Sequence, residues 1–495
     1  MFQAIRIHQN DNTAVIVCSK VLVDQYVTEK NGASVTALEE IQFGHKIALE
    51  HILKGERVYK YGYPFGVATQ DIKPGQWVHT HNVKTALSGK SQYKYEKAEN
   101  LVTEESQGFF SGYLRKNGRV GIRNEIWILP MVSCVNHTAR MIEAEYKRKR
   151  PEAECVNALN QPFGCSQLGD DHEMTVTILR DIATHPNTAG VLLLSLGCEN
   201  NILDDFLAGI DEKDADRIRY LVTQKSEDEF ADACAILDEL YELSKTDKRT
   251  RQPLSKLFVG FKCGASDGFS GVTANPLAGM VCEKLVKSGA GTVLTETPEM
   301  FGAEHLIMNQ AKDEAVFEDI VKLINDFKDY YISHNQPIYE NPAPGNKEGG
   351  ITTLEEKSLG CIQKGGHCEV VDVLAYGEKV KSAGLSLLSC PGNDPVSITA
   401  LASSGCQLLL FTTGRGNPLS SVIPTIKIAS NSDMAKRKHN WIDFDAGSLL
   451  SDADAKTLSD ELFDMVMECA NGEYITKSER AGYKEIGIFK DGVTL

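Results

Sequence analysis

KLFVGFKCGASDGFSGVTANP, residues 256–276, decides the fold. It opens with a short apolar run that ends at Lys262 and Cys263, continues as a turn of small residues, and leads into a helical stretch. A buried strand that stops in a glycine-rich turn and hands over to a helix is the unit of an open parallel sheet, and ligands gather outside the carboxyl ends of such strands. The glycines do not follow the GxxxxGK[ST] order of a phosphate loop, so they give nucleotide binding little support. The same grammar recurs in EIWILPMVSCVN (125–136), AGVLLLSLGCEN (189–200), GTVLTETPEMFGAEH (291–305), LSLLSCPGND (385–394) and CQLLLFTTGRGNP (406–418). The expected class is α/β with mainly parallel sheets.

Outward from this core the organisation changes. Residues 1–95 read as short strands broken by turns, for example AIRIH, TAVIV and GERVYKYGYPFGVATQDIKPGQWVHTHNV, which makes a small β-rich module. The polar stretch that follows has no sustained apolar period, and residues 96–110 are expected to be a linker. Two α/β regions are then expected, 111–250 and 251–495, divided by the basic stretch LSKTDKRTRQPLS (243–255). A long Pro/Gly loop at 335–358 is of a length that is usually functional or disordered.

Fifty-two Lys+Arg against 68 Asp+Glu give a net charge of −16, which repels nucleic acid and anionic membrane surfaces. An anionic substrate then needs local cations or a metal to reverse the field. With no apolar run of membrane-spanning length and no signal-peptide order at the N-terminus, the cytoplasm is the expected location. Thirteen cysteines are accordingly expected as reduced thiols.

Several constellations could carry chemistry. In WVHTHN, His79 and His81 stand two apart on an expected strand, so both would face one side and could chelate a metal; paired surface histidines are the plain alternative. His45 in FGHK could be a further ligand or a proton carrier. GYLRKNGRVGIRNE gathers Arg115, Lys116, Arg119 and Arg123, which suit a carboxylate or, equally, structural ion pairs. NQPFGCSQLGDDHE sets Cys165 on a tight turn ahead of His172, whose acidic neighbours could simply favour a helix start. Lys262, His305 and Arg415 lie in strand-end turns of the C-terminal half.

Taken in order, FGHK, VHTHN, GYLRKNGRVGIRNE, PFGCSQ, SLGCEN, GFKCGASDGFSG, TETPEMFGAEH, SCPGNDP and TTGRGNP resemble the successive motifs of the altronate/galactarate dehydratase family along the whole chain. The resemblance implies an SAF-like N-terminal module followed by two α/β dehydratase regions, and a small sugar acid as substrate. It leans to the altronate side of the family, which implies conversion of D-altronate to 2-dehydro-3-deoxy-D-gluconate and water in hexuronate catabolism. It also implies Fe(II), with Mn(II) as a substitute. A galactarate or other hexarate dehydratase is the alternative, and a sugar-acid sensor the non-enzyme one.

Within that chemistry, His79, His81 and Cys165 are the expected metal ligands, with His45 beside them. Arg119, Arg123, Asn82 and Arg415 are expected to bind substrate. Lys262, His172, His305 and His45 are the candidates for proton transfer, and to act as a base each would have to be neutral at working pH. An iron–sulfur cluster on strand-end thiols Cys165, Cys198, Cys263 and Cys390 is a competing form of the iron, although no CxxCxxC run accompanies it. A homodimer is the expected assembly.

Overall fold

The computed structural model describes residues 2–451 and 453–495. The N-terminal module is built from short antiparallel pairs. One sheet runs Ala4–Ile5, Thr13–Ile16, Lys46–Ala48, Trp77–Val78, and a second runs Val83–Lys84, Tyr63–Ala68, Arg57–Lys60. Its small core of Ala14, Ile16, Val21, Ile41 and Ile47 comes from β-branched and small residues that suit a pleated surface.

Residues 85–108, expected to hold the linker, form an ordered strap along the C-terminal region. The Tyr93 hydroxyl donates to Glu304 at 2.5 Å, the Tyr95 hydroxyl donates to the Ala311 carbonyl at 2.7 Å, and Val102 N–H donates to the His367 carbonyl at 2.8 Å. The strap makes its contacts residue by residue, with each tyrosine ring on the core and its hydroxyl on a polar partner, so no apolar period marks it.

The first α/β region is a four-stranded parallel sheet in the order Val156–Ala158, Glu125–Pro130, Thr188–Ser195, Ile218–Val222. The basic stretch near residue 250 turns out to be a strand, Arg249–Pro253, paired antiparallel with Phe109–Leu114. The second region is a seven-stranded parallel sheet in the order Val370–Leu374, Gly384–Leu388, Gly291–Leu294, Phe258–Cys263, Leu408–Thr413, Thr425–Ala429, Phe444–Asp445. The sheet starts at Phe258–Cys263 and grows first to one side, then to the other, so its topological switch lies between that strand and Leu408–Thr413. A crevice opens there.

The C-terminal tail returns across the first region. Lys484 pairs with Glu125 at 2.8 Å, and Leu495 N–H donates to the Ser166 carbonyl at 3.0 Å. Among the described residues, no helix is long and apolar enough to cross a membrane.

Candidate active site at the sheet switch

A cavity of about 770 Å³ lies outside the switch point, lined among others by Cys263, Glu299, Asn346, Lys357, Asp394 and Arg415. Cys263 ends its strand, Glu299 sits on the turn after Gly291–Leu294, and Asp394 opens the helix after Gly384–Leu388. Asn346 and Lys357 come from the long loop at 335–358, which is therefore part of the site.

Three lysines and three carboxylates interlock here. Lys262 contacts Asp394 directly and lies 3.4 Å from Glu296 Oε1. Lys357 donates to Glu299 Oε1 at 2.7 Å and to Asn341 Oδ1 at 3.0 Å. Lys364 Nζ is 3.1 Å from Cys263 Sγ and 3.4 Å from Glu296 Oε2. The formal charges balance, which lets five buried ionisable groups and the part-exposed Asp394 stand together. Burial opposes the charge on Lys262, but Glu296 and Asp394 outweigh it and lift its ammonium above the ordinary lysine range. Burial would likewise raise Glu299, yet Lys357 and Lys364 hold it down at about 2. Glu296 adopts a left-handed backbone, φ 73°, a strained conformation that recurs at functional sites.

One side-chain group could hold a metal. Cys263 Sγ, Glu299 Oε2 and Cys361 Sγ lie within 4.8 Å of one another, and both thiols touch the same carboxylate oxygen, at 3.2 and 3.1 Å. Two thiols and a carboxylate suit Fe(II) better than Mn(II), which prefers oxygen and imidazole. A divalent ion entering with loss of both thiol protons would preserve the charge balance.

Of the residues anticipated from sequence, Lys262, Cys263 and Arg415 belong to this site. The others are held elsewhere. The strand expected to carry His79 and His81 ends at Val78, and both histidines lie in the turn that follows, where both rings pack against Trp77 and the His45 ring is centred 5.0 Å from that of His79. His79 bonds Thr352 at 3.1 Å, whereas His81 is exposed against Trp77. His45 accepts from Trp77 Nε1–H at Nδ1, so Nε2 must carry the proton facing the Glu348 carbonyl 3.1 Å away, and no ring lone pair is left for a metal. Asn82 closes the same turn, accepting from His79 N–H and donating to the Trp77 carbonyl.

Arg119 is tied to Asp214 and the Thr184 carbonyl. Arg123 is spent on Glu479 and on the carbonyls of Ile122, Cys469 and Tyr474, where it anchors the C-terminal segment. His172 lies on the helix Gly169–Ala183 of the first region, and His305 is exposed against Tyr63 of the module. Cys165 is exposed on the first region, while Cys263 and Cys390 are buried in the second, so the four thiols considered for a cluster do not form one set.

Lys357 and Cys361 were missed, although a signal existed. With Lys364 they are spaced by four and three, which places them on one face of a helix, and Leu354–Cys361 with its 3₁₀ extension Ile362–Gly365 is that helix.

Comparison with known proteins matches all three parts of the chain. Residues 2–86 match the altronate/galactarate dehydratase SAF domain, 112–245 the second domain of D-galactarate dehydratase/altronate hydrolase, and 254–494 the C-terminal part of D-galactarate/altronate dehydratase. The altronate dehydratase of Escherichia coli K12 is 47% identical, covering 100% of both chains. That of Bacillus subtilis 168 is 46% identical over 99% of each. The galactarate dehydratase (L-threo-forming) of Escherichia coli K12 is 30% identical over 98% of this chain and 96% of its own.

Proposed function

The chain belongs to the altronate/galactarate dehydratase family, and from that premise we propose that it converts D-altronate to 2-dehydro-3-deoxy-D-gluconate and water in the cavity above Cys263. It is a hydro-lyase. Altronate is preferred to galactarate because the chain is more similar to altronate dehydratases than to the galactarate enzyme. The observation that carries the placement is the convergence of three lysines, three carboxylates and two thiols at one sheet switch.

The reaction removes the proton next to the substrate carboxylate and the hydroxyl on the following carbon. Arg415 at the mouth and Lys357 within the cavity are the cations that would receive the carboxylate and the charge that builds on it. Asp394 reaches the cavity, with Lys262 on one carboxylate oxygen and Asn417 donating to the other at 2.7 Å. It is therefore the group we assign to take the proton, with Lys262 fixing its orientation. Glu299, held ionised, stays an acceptor for substrate hydroxyls and for Lys357.

The ion we assign is Fe(II), held by Cys263, Glu299 and Cys361; when bound it supplies Lewis acidity for charge developing on substrate oxygens. Cytoplasmic action is in keeping with thirteen cysteines that are all free thiols. We further propose a homodimer, which sedimentation of the purified chain tests.

The experiment is product formation from altronate and galactarate, under anaerobic conditions with Fe(II), by the wild-type protein and by Asp394→Asn. Turnover of altronate that is lost in the variant supports the reading. Tight binding without product from either acid overturns it.

A further inference from the structure

Only three of the thirteen cysteines are exposed, Cys134, Cys165 and Cys198, and all three lie on one edge of one sheet. They follow the carboxyl ends of the adjacent parallel strands Glu125–Pro130, Val156–Ala158 and Thr188–Ser195. Exposed free thiols are an oxidation liability, and three of them gathered where a parallel sheet binds ligands call for a function.

The turns that carry them are tied to one another. Ser133 N–H donates to the Phe163 carbonyl at 2.8 Å, Asn201 N–H donates to the Gly164 carbonyl at 3.0 Å, and the Asn201 side chain donates to the Met131 carbonyl at 3.1 Å. Asn200 Oδ1 accepts from Ser166 N–H at 2.8 Å and lies 3.2 Å from Cys165 Sγ. Glu199 is buried and braces the Cys198 turn by accepting from Gly197 N–H at 2.6 Å and Ser195 Oγ at 2.6 Å. Gly164 has φ 103°, and a Cβ there would meet the Met131 carbonyl oxygen at 2.2 Å, so a side chain would push two of the turns apart.

Donor type decides what such a site takes. Cys263 and Cys361 lie 3.4 Å apart and share a carboxylate, which suits one ion. The exposed three are joined by no thiol–thiol hydrogen bond among the described residues, and no His or carboxylate joins them within reach of a shared single ion. All-thiolate ligation by separated sulfurs suits an iron–sulfur cluster, in which each sulfur holds a different iron. The helices Asn136–Lys149 and Gly169–Ala183 begin two and four residues after Cys134 and Cys165. Cys155 lies just before the start of its strand, at the opposite end of the sheet, and Cys234 is buried on the helix Glu229–Ser244 beside Lys149, at the far end of the helix that starts after Cys134, so neither is placed to be a fourth ligand.

We propose that Cys134, Cys165 and Cys198 bind a [4Fe–4S] cluster whose fourth iron has no cysteine ligand and is open to an oxygen donor of a small molecule. Each thiol gives up its proton as it takes an iron. The turn leading into Cys165 reaches a cavity of about 640 Å³ that Pro162 lines together with Asn393 and Asn417, neighbours of the first cavity's Asp394 and Gly416. The proposal does not depend on which sugar acid is dehydrated.

The test is anaerobic reconstitution of the full chain with ferric iron, sulfide and dithiothreitol, the thiol supplying the electrons that bring two of the four irons to ferrous. Iron, acid-labile sulfide and visible absorption are measured for wild type, for Cys134→Ser, Cys165→Ser and Cys198→Ser, and for Cys263→Ser/Cys361→Ser. Thermal melts of the unreconstituted proteins confirm that each variant folds. The expected result is about four sulfide and five iron per chain in wild type, about four of each in the double variant, and loss of most sulfide with its iron in each of the three single variants. Wild type that binds iron but no acid-labile sulfide overturns the proposal, as does a cluster that survives loss of all three exposed thiols.

Discussion

Lys357 donates to Glu299 at 2.7 Å with both side chains almost wholly withdrawn from solvent. The residue before it, Glu356, accepts from Lys46 and Lys60 of the N-terminal module at 2.9 Å each. The short helix Leu354–Cys361 is thus pinned by the module at one residue and reaches the cavity with the next. The module is a structural support of the site: Lys46 and Lys60 hold Glu356, and His79 and His45 hold Thr352 and the Glu348 carbonyl of the same segment.

Removing one partner of a buried pair exposes this arrangement. Lys357→Met should lower kcat/KM on altronate by about 10²-fold or more, because it deletes a cation aimed at developing charge and leaves Glu299 short of its partner. Steady-state kinetics alongside urea unfolding check both effects. Lys357→Met/Glu299→Gln should regain stability without regaining activity.

Arg415 is half exposed at the cavity mouth and shared with Glu348 at 2.8 Å. Its replacement by Ala should raise KM by about tenfold and leave kcat within a few-fold, the pattern of lost binding that is equal in ground and transition states. Added salt should narrow the difference between wild type and variant.

Arg123 is expected to behave in the opposite way. Its guanidinium anchors Glu479 and three carbonyls, so Arg123→Ala should cost about 3–5 kcal/mol of stability while the KM of the folded enzyme stays near that of wild type. Chemical unfolding and kinetics below the transition separate the two.

Acid should loosen the module. Burial, with the nearby Lys46 charge, lowers His79 from its ordinary value of 6.5 to about 3, so the folded state prefers the neutral ring. A depressed folded value means that this stability is complete above about pH 6.5 and is lost progressively as pH falls toward 3. Glu356 adds to the loss below its ordinary 4.5, since Lys46 and Lys60 overcome burial and hold it at about 2. Thermal unfolding followed from pH 7.5 to 4 should show this slope, and His79→Gln should flatten its upper part.

Much of the fold could be read from the chain because apolar strands ending in small-residue turns are local signals, and Lys262 and Arg415 lie on such turns. Arg123 was misread for the opposite reason. Its partner Glu479 is 356 residues away, and a cation cluster that binds a carboxylate has the same local sequence as one that anchors a tail. His79 and His81 depended on a strand continuing three residues further, and the turn closed by Asn82 ended it. Lys357, Cys361 and Lys364 carried a helical spacing that begins inside the 335–358 segment, which glycine and proline made look like a loop, and runs past its end.

The two places considered for the metal are separated in one experiment: anaerobic measurement of bound iron and altronate turnover in Cys263→Ala/Cys361→Ala and in His79→Ala/His81→Ala, each made with and without Cys134→Ser/Cys165→Ser/Cys198→Ser to separate cluster iron. The account predicts that the buried thiols' variant loses its non-cluster iron and its turnover together, while the histidine variant, if folded, keeps both. Iron and turnover lost only with the histidines would contradict it and return the metal to the N-terminal module.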